Sequence, residues 1–192
     1  MTVRLTLLCA AAPIEHDLRF GVDTTLDERA LREARGVAGA VPAASSWYTA
    51  PSQRCRQTAQ ALGFAAVAVE PALRDMNMGR WQGRTLGEVA AGDGAALAAW
   101  MADPEAAPPD GESVAEVCHR IVAWLDALPA ATGRALAVVE QAVARAAVVH
   151  ALGAPQQSFW RIDVPPLSSY QLTGRDGRWN LRMGGIAADC SP

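Results

Sequence analysis

Arg134–Val139 reads RALAVV and gives way, after Glu140, to the helix-like run Ala144–Gly153, ARAAVVHALG. Val3–Leu8, VRLTLL, has the same character: a short apolar run rich in β-branched residues, followed by a change of composition and then helix-like sequence. Two such runs, each leading into a helix, predict parallel core strands. Ser45–Thr49 (SSWYT) and Ala65–Val69 are short enough to be further strands alternating with helices. The alternation predicts an α/β fold.

Helix starts are marked where Ser or Thr is followed three residues later by Glu, at Thr25/Glu28, Thr85/Glu88 and Ser113/Glu116. The third opens a segment in which Val114, Val117, Ile121, Trp124 and Leu125 recur on one face, as a helix packed on a sheet requires. Pro104, Pro108 and Pro109 exclude regular helix throughout Met101–Asp110, which reads as a loop. Asp176-Gly177 between Ser168–Leu172 and Arg178–Arg182 predicts a hairpin. One domain over residues 1–183 is expected, with 184–192 as a frayed tail.

Bulk composition narrows the partners. At 192 residues and a net charge of -3 the chain has no broad basic field, so nucleic acid is an unfavoured partner and a small molecule or a protein the expected one. Met1–Ala12 is too short to span a bilayer and reads as a buried strand. Cys9, Cys55, Cys118 and Cys190 are widely spaced with no CxxC pair, which suits a reducing cytoplasm rather than a zinc knuckle or a disulfide scaffold. No metal constellation and no phosphate-cradling GxxxxGK are present, so no cofactor is expected. Oligomeric state is left open, a homodimer among the options.

Four segments in order carry a family resemblance. Tyr48–Gly63 (YTAPSQRCRQTAQALG), Leu73–Val89 (LRDMNMGRWQGRTLGEV), Pro108–Val117 (PPDGESVAEV) and the late run VVEQAVAR ending at Arg145 together resemble the histidine phosphatase, or phosphoglycerate-mutase-like, superfamily. The resemblance implies a three-layer α/β/α sandwich with a mostly parallel central sheet and a site at the carboxyl ends of the strands. It places Arg54 at the family's phosphate-binding arginine and Asp75 at its acid/base glutamate.

The departures carry as much information. Where the family's first strand ends in arginine, nucleophilic histidine and glycine, this chain has Cys9, Ala10 and Ala11; where the late strand ends in a second histidine, it has Glu140. A phosphate dianion needs converging donors. A like charge at ~4 Å costs about 4 kcal/mol at an effective dielectric of ~20, so Glu140 opposes phosphate binding. Cys9 is expected to point to the sheet face opposite Ala10, because side chains alternate along a strand.

The expected pocket therefore contains Glu140 and Asp75 as candidate catalytic carboxylates, with Arg54, Cys9, Ala10, His16 and Trp81 lining it. Trp81 lies on a glycine-flanked loop suited to a pocket wall, and Trp100 and Trp160 are placed to close it. His150 reads as a core or helix-end histidine and His119 as a solvated one. Three functions follow. The first is a small-molecule acid/base enzyme of isomerase, lyase or cyclase type, with Arg54 orienting the substrate. The second is a non-catalytic pseudophosphatase in which Glu140 merely neutralises Arg54. The third is residual phosphatase activity.

Overall fold

The structure is a computed structural model that describes residues 2–13, 19–64 and 66–183. Its centre is a six-stranded sheet. Strands β1 (Val3–Cys9), β2 (Ser46–Thr49), β3 (Ala68–Val69) and β4 (Arg134–Val139) run parallel in the order β3-β2-β4-β1, and the antiparallel β5 (Ser169–Arg175) and β6 (Arg178–Arg182) complete the edge beyond β1. β1 and β4 are thus neighbours at the centre, and Leu5, Leu7, Leu136 and Val138 are almost wholly buried. This is why both runs read as continuously apolar.

Helices flank both faces. They are α1 (Glu28–Val37), α2 (Gln53–Ala61), α3 (Leu86–Ala102), α4 (Val114–Ala127) and α5 (Gln141–Leu152). Adjacent residues of β2 point to opposite faces. Trp47 stacks on Phe64, just beyond α2, at 3.8 Å between centroids, while Tyr48 meets Trp124 of α4 edge-on at 5.8 Å. The α/β sandwich implied by the resemblance is the fold observed.

Local signals set the element ends. Both capping boxes, Thr85/Glu88 and Ser113/Glu116, are formed, each hydroxyl accepting from the Glu backbone amide and each Glu carboxylate accepting from the cap residue's amide. The expected cap at Thr25 is displaced. Asp27 is the N-cap of α1 and accepts from Ala30 N at 2.7 Å, which makes Glu28 the first helical residue. α3 runs to Ala102, so Met101 closes a helix and the proline-rich loop begins after it. The β5–β6 turn has positive φ at both Asp176 (52°) and Gly177 (75°), the conformation that matches the twist of a tight hairpin. The expected tail, 184–192, lies outside the described residues.

A packed cluster holds the loop that carries Asp75. Glu112, buried in the GES segment, receives Arg120 Nε and Nη2 at 2.9 Å each, and Arg120 Nη1 donates to the carbonyls of Ala72 (2.6 Å) and Arg74 (3.0 Å). Asn77 N donates to the same carboxylate at 3.3 Å. The loop is tied down on both sides of Asp75. Gly79 packs so tightly on the next loop that a Cβ there would sit 2.2 Å from Pro109 O, at a φ of +50° that side chains rarely adopt.

Candidate active site

Glu140 is the residue around which the site is organised. It ends β4 as the N-cap of α5, yet its carboxylate makes no cap bond to that helix. It reaches across to the start of α2. Ser52 Oγ donates to Oε1 at 2.7 Å and Arg54 Nη2 donates to Oε2 at 2.8 Å. Ser52 is itself the N-cap of α2, its hydroxyl accepting from Cys55 N at 3.3 Å. The Glu140 side chain is only 5% exposed and that of Arg54 21%.

The physical result is an internal anion site already filled. The carboxylate belongs to the N-cap residue of α5 and is bonded to Ser52, the N-cap of α2, and the aligned peptide dipoles of a helix place partial positive charge at its N-terminus. An arginine and a hydroxyl complete the cradle. A free phosphate would have to displace a carboxylate that already holds these donors.

Asp75 stands nearby in a different state. Half-buried at the pocket wall, it has its pKa raised to about 7, first by desolvation and then by the negative charge of Glu140, against the opposing pull of the Met76 amide and Arg54. It therefore exchanges a proton near neutrality. Because the folded pKa lies above the unfolded value, the stability that Asp75 contributes is complete below about pH 4 and is lost as pH rises to about 7. Asp75→Asn is expected to be more stable than the parent at pH 8 and to lose that advantage below pH 4, the difference growing by at most about 1.4 kcal/mol per pH unit between. Urea midpoints measured across this range check it, and a difference that does not change with pH would refute the assignment.

These groups open on a cavity of about 390 Å³. Cys9, Ala10 and Ala11 form its floor, and Phe20, Met76, Met78, Trp100 and Trp160 give it an apolar side. Cys9 lines the same cavity as Ala10, as its place in the expected pocket had it, and the correction is to its direction: β1 ends at Cys9, and the strict alternation that would turn it to the opposite face ends with it. It remains unreactive. Burial, reinforced by Glu140, pushes its thiol up to about 12, so at neutral pH it is no thiolate nucleophile.

Trp81 is the second correction. Its ring is wholly buried and does not reach the cavity; it packs against Phe20 (5.9 Å) and edge-on against Trp100 (5.7 Å), and its Nε1 donates to Asp93 at 3.2 Å. It supports the wall that Trp100 forms. Trp100 and Trp160 do border the cavity, meeting at 4.5 Å. His16 lies outside the described residues. His119 is exposed on α4, and His150 occupies the last turn of α5, half-buried.

Two participants are visible only in three dimensions. Ser52 was hidden because its role depends on which carboxylate the cap hydroxyl meets. Arg145 lines the cavity with its guanidinium between Phe159 and Trp160, 5.8 and 5.7 Å from their centroids, and its Nε donates to Ile162 O at 2.8 Å. Desolvation lowers its pKa, and as a guanidinium it stays a cation. Its place one turn after Glu140 was the available signal.

Known proteins agree with this architecture. Residues 11–186 match the model of the histidine phosphatase superfamily, branch 1. A mycobacterial glucosyl-3-phosphoglycerate phosphatase in complex with VO3 superposes with a TM-score of 0.79 at 26% identity, covering 93% of this chain and 96% of that one. A putative α-ribazole-5'-phosphate phosphatase of Escherichia coli superposes with a TM-score of 0.82 at 20% identity, with 94% of each chain covered. An α-ribazole phosphatase of Shigella flexneri gives 0.79 at 20%, covering 93% and 94%. No curated protein sequence matches. By the extent of the family match, this chain belongs to the histidine phosphatase superfamily, branch 1.

Proposed function

We propose that this protein binds a small organic molecule in the Arg54–Glu140 pocket and performs no phosphohistidine chemistry. The observation that carries the reading is the closed Ser52–Glu140–Arg54 cluster, in which a carboxylate of the chain holds the donors that a phosphate would need. Alanine at position 10 supplies no nucleophile, and the protonated Cys9 is no substitute. With Arg54 paired to Glu140 and Arg19 to Glu88, Arg145 is, among the described residues, a further cation that borders the cavity beside an aromatic wall. A ligand with one anionic or carbonyl group on an apolar or aromatic body fits that combination.

A second reading has its own support. Asp75, with its pKa near 7, suits acid/base catalysis on the same ligand, as in an isomerase, lyase or cyclase. Glu140 is less suited than Asp75 to that work, because its oxygens already accept from Ser52 and Arg54. Glu140 then orients rather than transfers protons.

The structural relatives are named as phosphatases, which supplies the opposing expectation, and one experiment separates them. The unaltered protein is expected to show no turnover of an aryl phosphate across a pH series and no thermal stabilisation by vanadate. Turnover that disappears in Arg54→Ala would overturn the proposal in favour of a histidine-independent phosphatase.

A further inference from the structure

We infer that a second binding site, for a compact phosphate-bearing anion, lies at the end of the sheet opposite the Arg54–Glu140 pocket. Arg4 and Arg134 are paired residues of the parallel strands β1 and β4. Their side chains therefore leave the same face of the sheet from strands about 4.8 Å apart. Arg182 of β6 is brought to that face by register, since it pairs with Gln171, which pairs with Thr6, two residues along from Arg4. The three arginines border one cavity of about 150 Å³, walled on one side by Pro42 and Ala43 from the loop that leads into β2.

The charge there is of one sign and gathered on one cavity. The cavity lining contains no Asp or Glu, and all three arginines are exposed. Among the described residues none of the three has a carboxylate or any other side-chain partner. Many of the other arginines are set beside a carboxylate, as in Arg54–Glu140, Arg84–Asp93 and Arg120–Glu112. Like charges on neighbouring strands repel, and a sheet that places them there without an acid leaves room for an anion to relieve the repulsion.

The shape and donors define the ligand. Guanidinium forks match phosphate oxygens two at a time, and Gln171 and Thr173, which share the lining, add neutral donors. A volume of about 150 Å³ suits one or two phosphate groups and is too small for a whole nucleotide. Cys9 lies five steps along β1 from Arg4, roughly 17 Å of strand, so this site and the Arg54–Glu140 pocket fill independently.

The test uses inorganic pyrophosphate as probe, on the full chain in low-salt buffer, read by calorimetric titration. Saturable binding is expected, weakened about tenfold or more by Arg134→Gln and by Arg182→Gln. Arg182→Lys, which keeps the charge and loses the fork, should fall between the parent and Arg182→Gln. Arg161→Gln, an exposed arginine outside the patch, should leave the affinity unchanged. The melting temperature of each variant without ligand establishes that it is folded. Failure of pyrophosphate to bind, equal weakening by Arg161→Gln, or citrate binding as tightly as pyrophosphate would each overturn the assignment.

Discussion

Glu140→Ala is expected to lower the stability by about 3 kcal/mol and to give the protein a phosphate-dependent melting temperature that the parent lacks. The first effect follows from what remains. Removing one member of a buried ion pair takes the counter-charge from a desolvated partner, at a typical cost of about 3–5 kcal/mol, and the lower end applies because the Arg54 side chain keeps 21% of its surface. Ser52 Oγ loses its acceptor in the same step. The second effect follows from what is uncovered: an arginine, a hydroxyl and two helix N-termini, with the blocking negative charge gone. Phosphate at 100 times its dissociation constant would return about 2.7 kcal/mol of stability. Thermal melts of both proteins with and without phosphate measure both effects. If the variant melts with the parent and ignores phosphate, Glu140 is not an internal counter-ion.

Much of this was legible in the sequence because the deciding features are local or fixed by spacing. β4 begins and ends where RALAVV does, the Thr85 and Ser113 caps are formed, and the hairpin turns at Asp176-Gly177. Each depends on a few consecutive residues. Thr25 misled because two candidate caps stand two residues apart, and Asp27, whose carboxylate reaches Ala30 N, won. The pairing of Arg54 with Glu140 was one of two readings open for Glu140, since two motif positions facing one pocket fix a meeting between them.

What was not legible depends on where the chain stops being regular, or on partners far apart in sequence. Cys9 was assigned by strand alternation at the one residue where the strand ends. Trp81 was assigned from its flanking glycines, whereas the hydrogen bond to Asp93 and the Trp100 ring decide its place. Arg120 lies more than forty residues from Ala72 and Arg74 in sequence, yet it donates to both carbonyls and so holds the backbone that leads to Asp75. Arg4, Arg134 and Arg182 come from three strands, and only the sheet order β4-β1-β5-β6 unites them.

The triple change Cys9→Arg, Ala10→His and Glu140→His is expected to create aryl phosphate hydrolysis, at least ~10²-fold above the parent's background. The three positions border one cavity with Arg54, so the substitutions place a second guanidinium and two imidazoles around a vacated anion cradle. Ala10 and Cys9 are buried, and enlarging both costs about 1–3 kcal/mol where the cavity of about 390 Å³ does not absorb the volume. Vanadate binding and the melting temperature therefore accompany the rate measurement. Asp75 adds a signature. Glu140 is the second-largest cause of its raised pKa, so losing that charge, with two imidazoles and an arginine nearby, should move the acid limb of the pH–rate profile below 7. A folded triple variant that binds vanadate and turns over nothing would show that these residues restore the cradle without a nucleophile at position 10. One that binds no vanadate would mean that Arg54 and Ser52 do not form an anion site once Glu140 is gone. A working variant would show that the scaffold supports phosphoryl transfer once these three side chains are supplied.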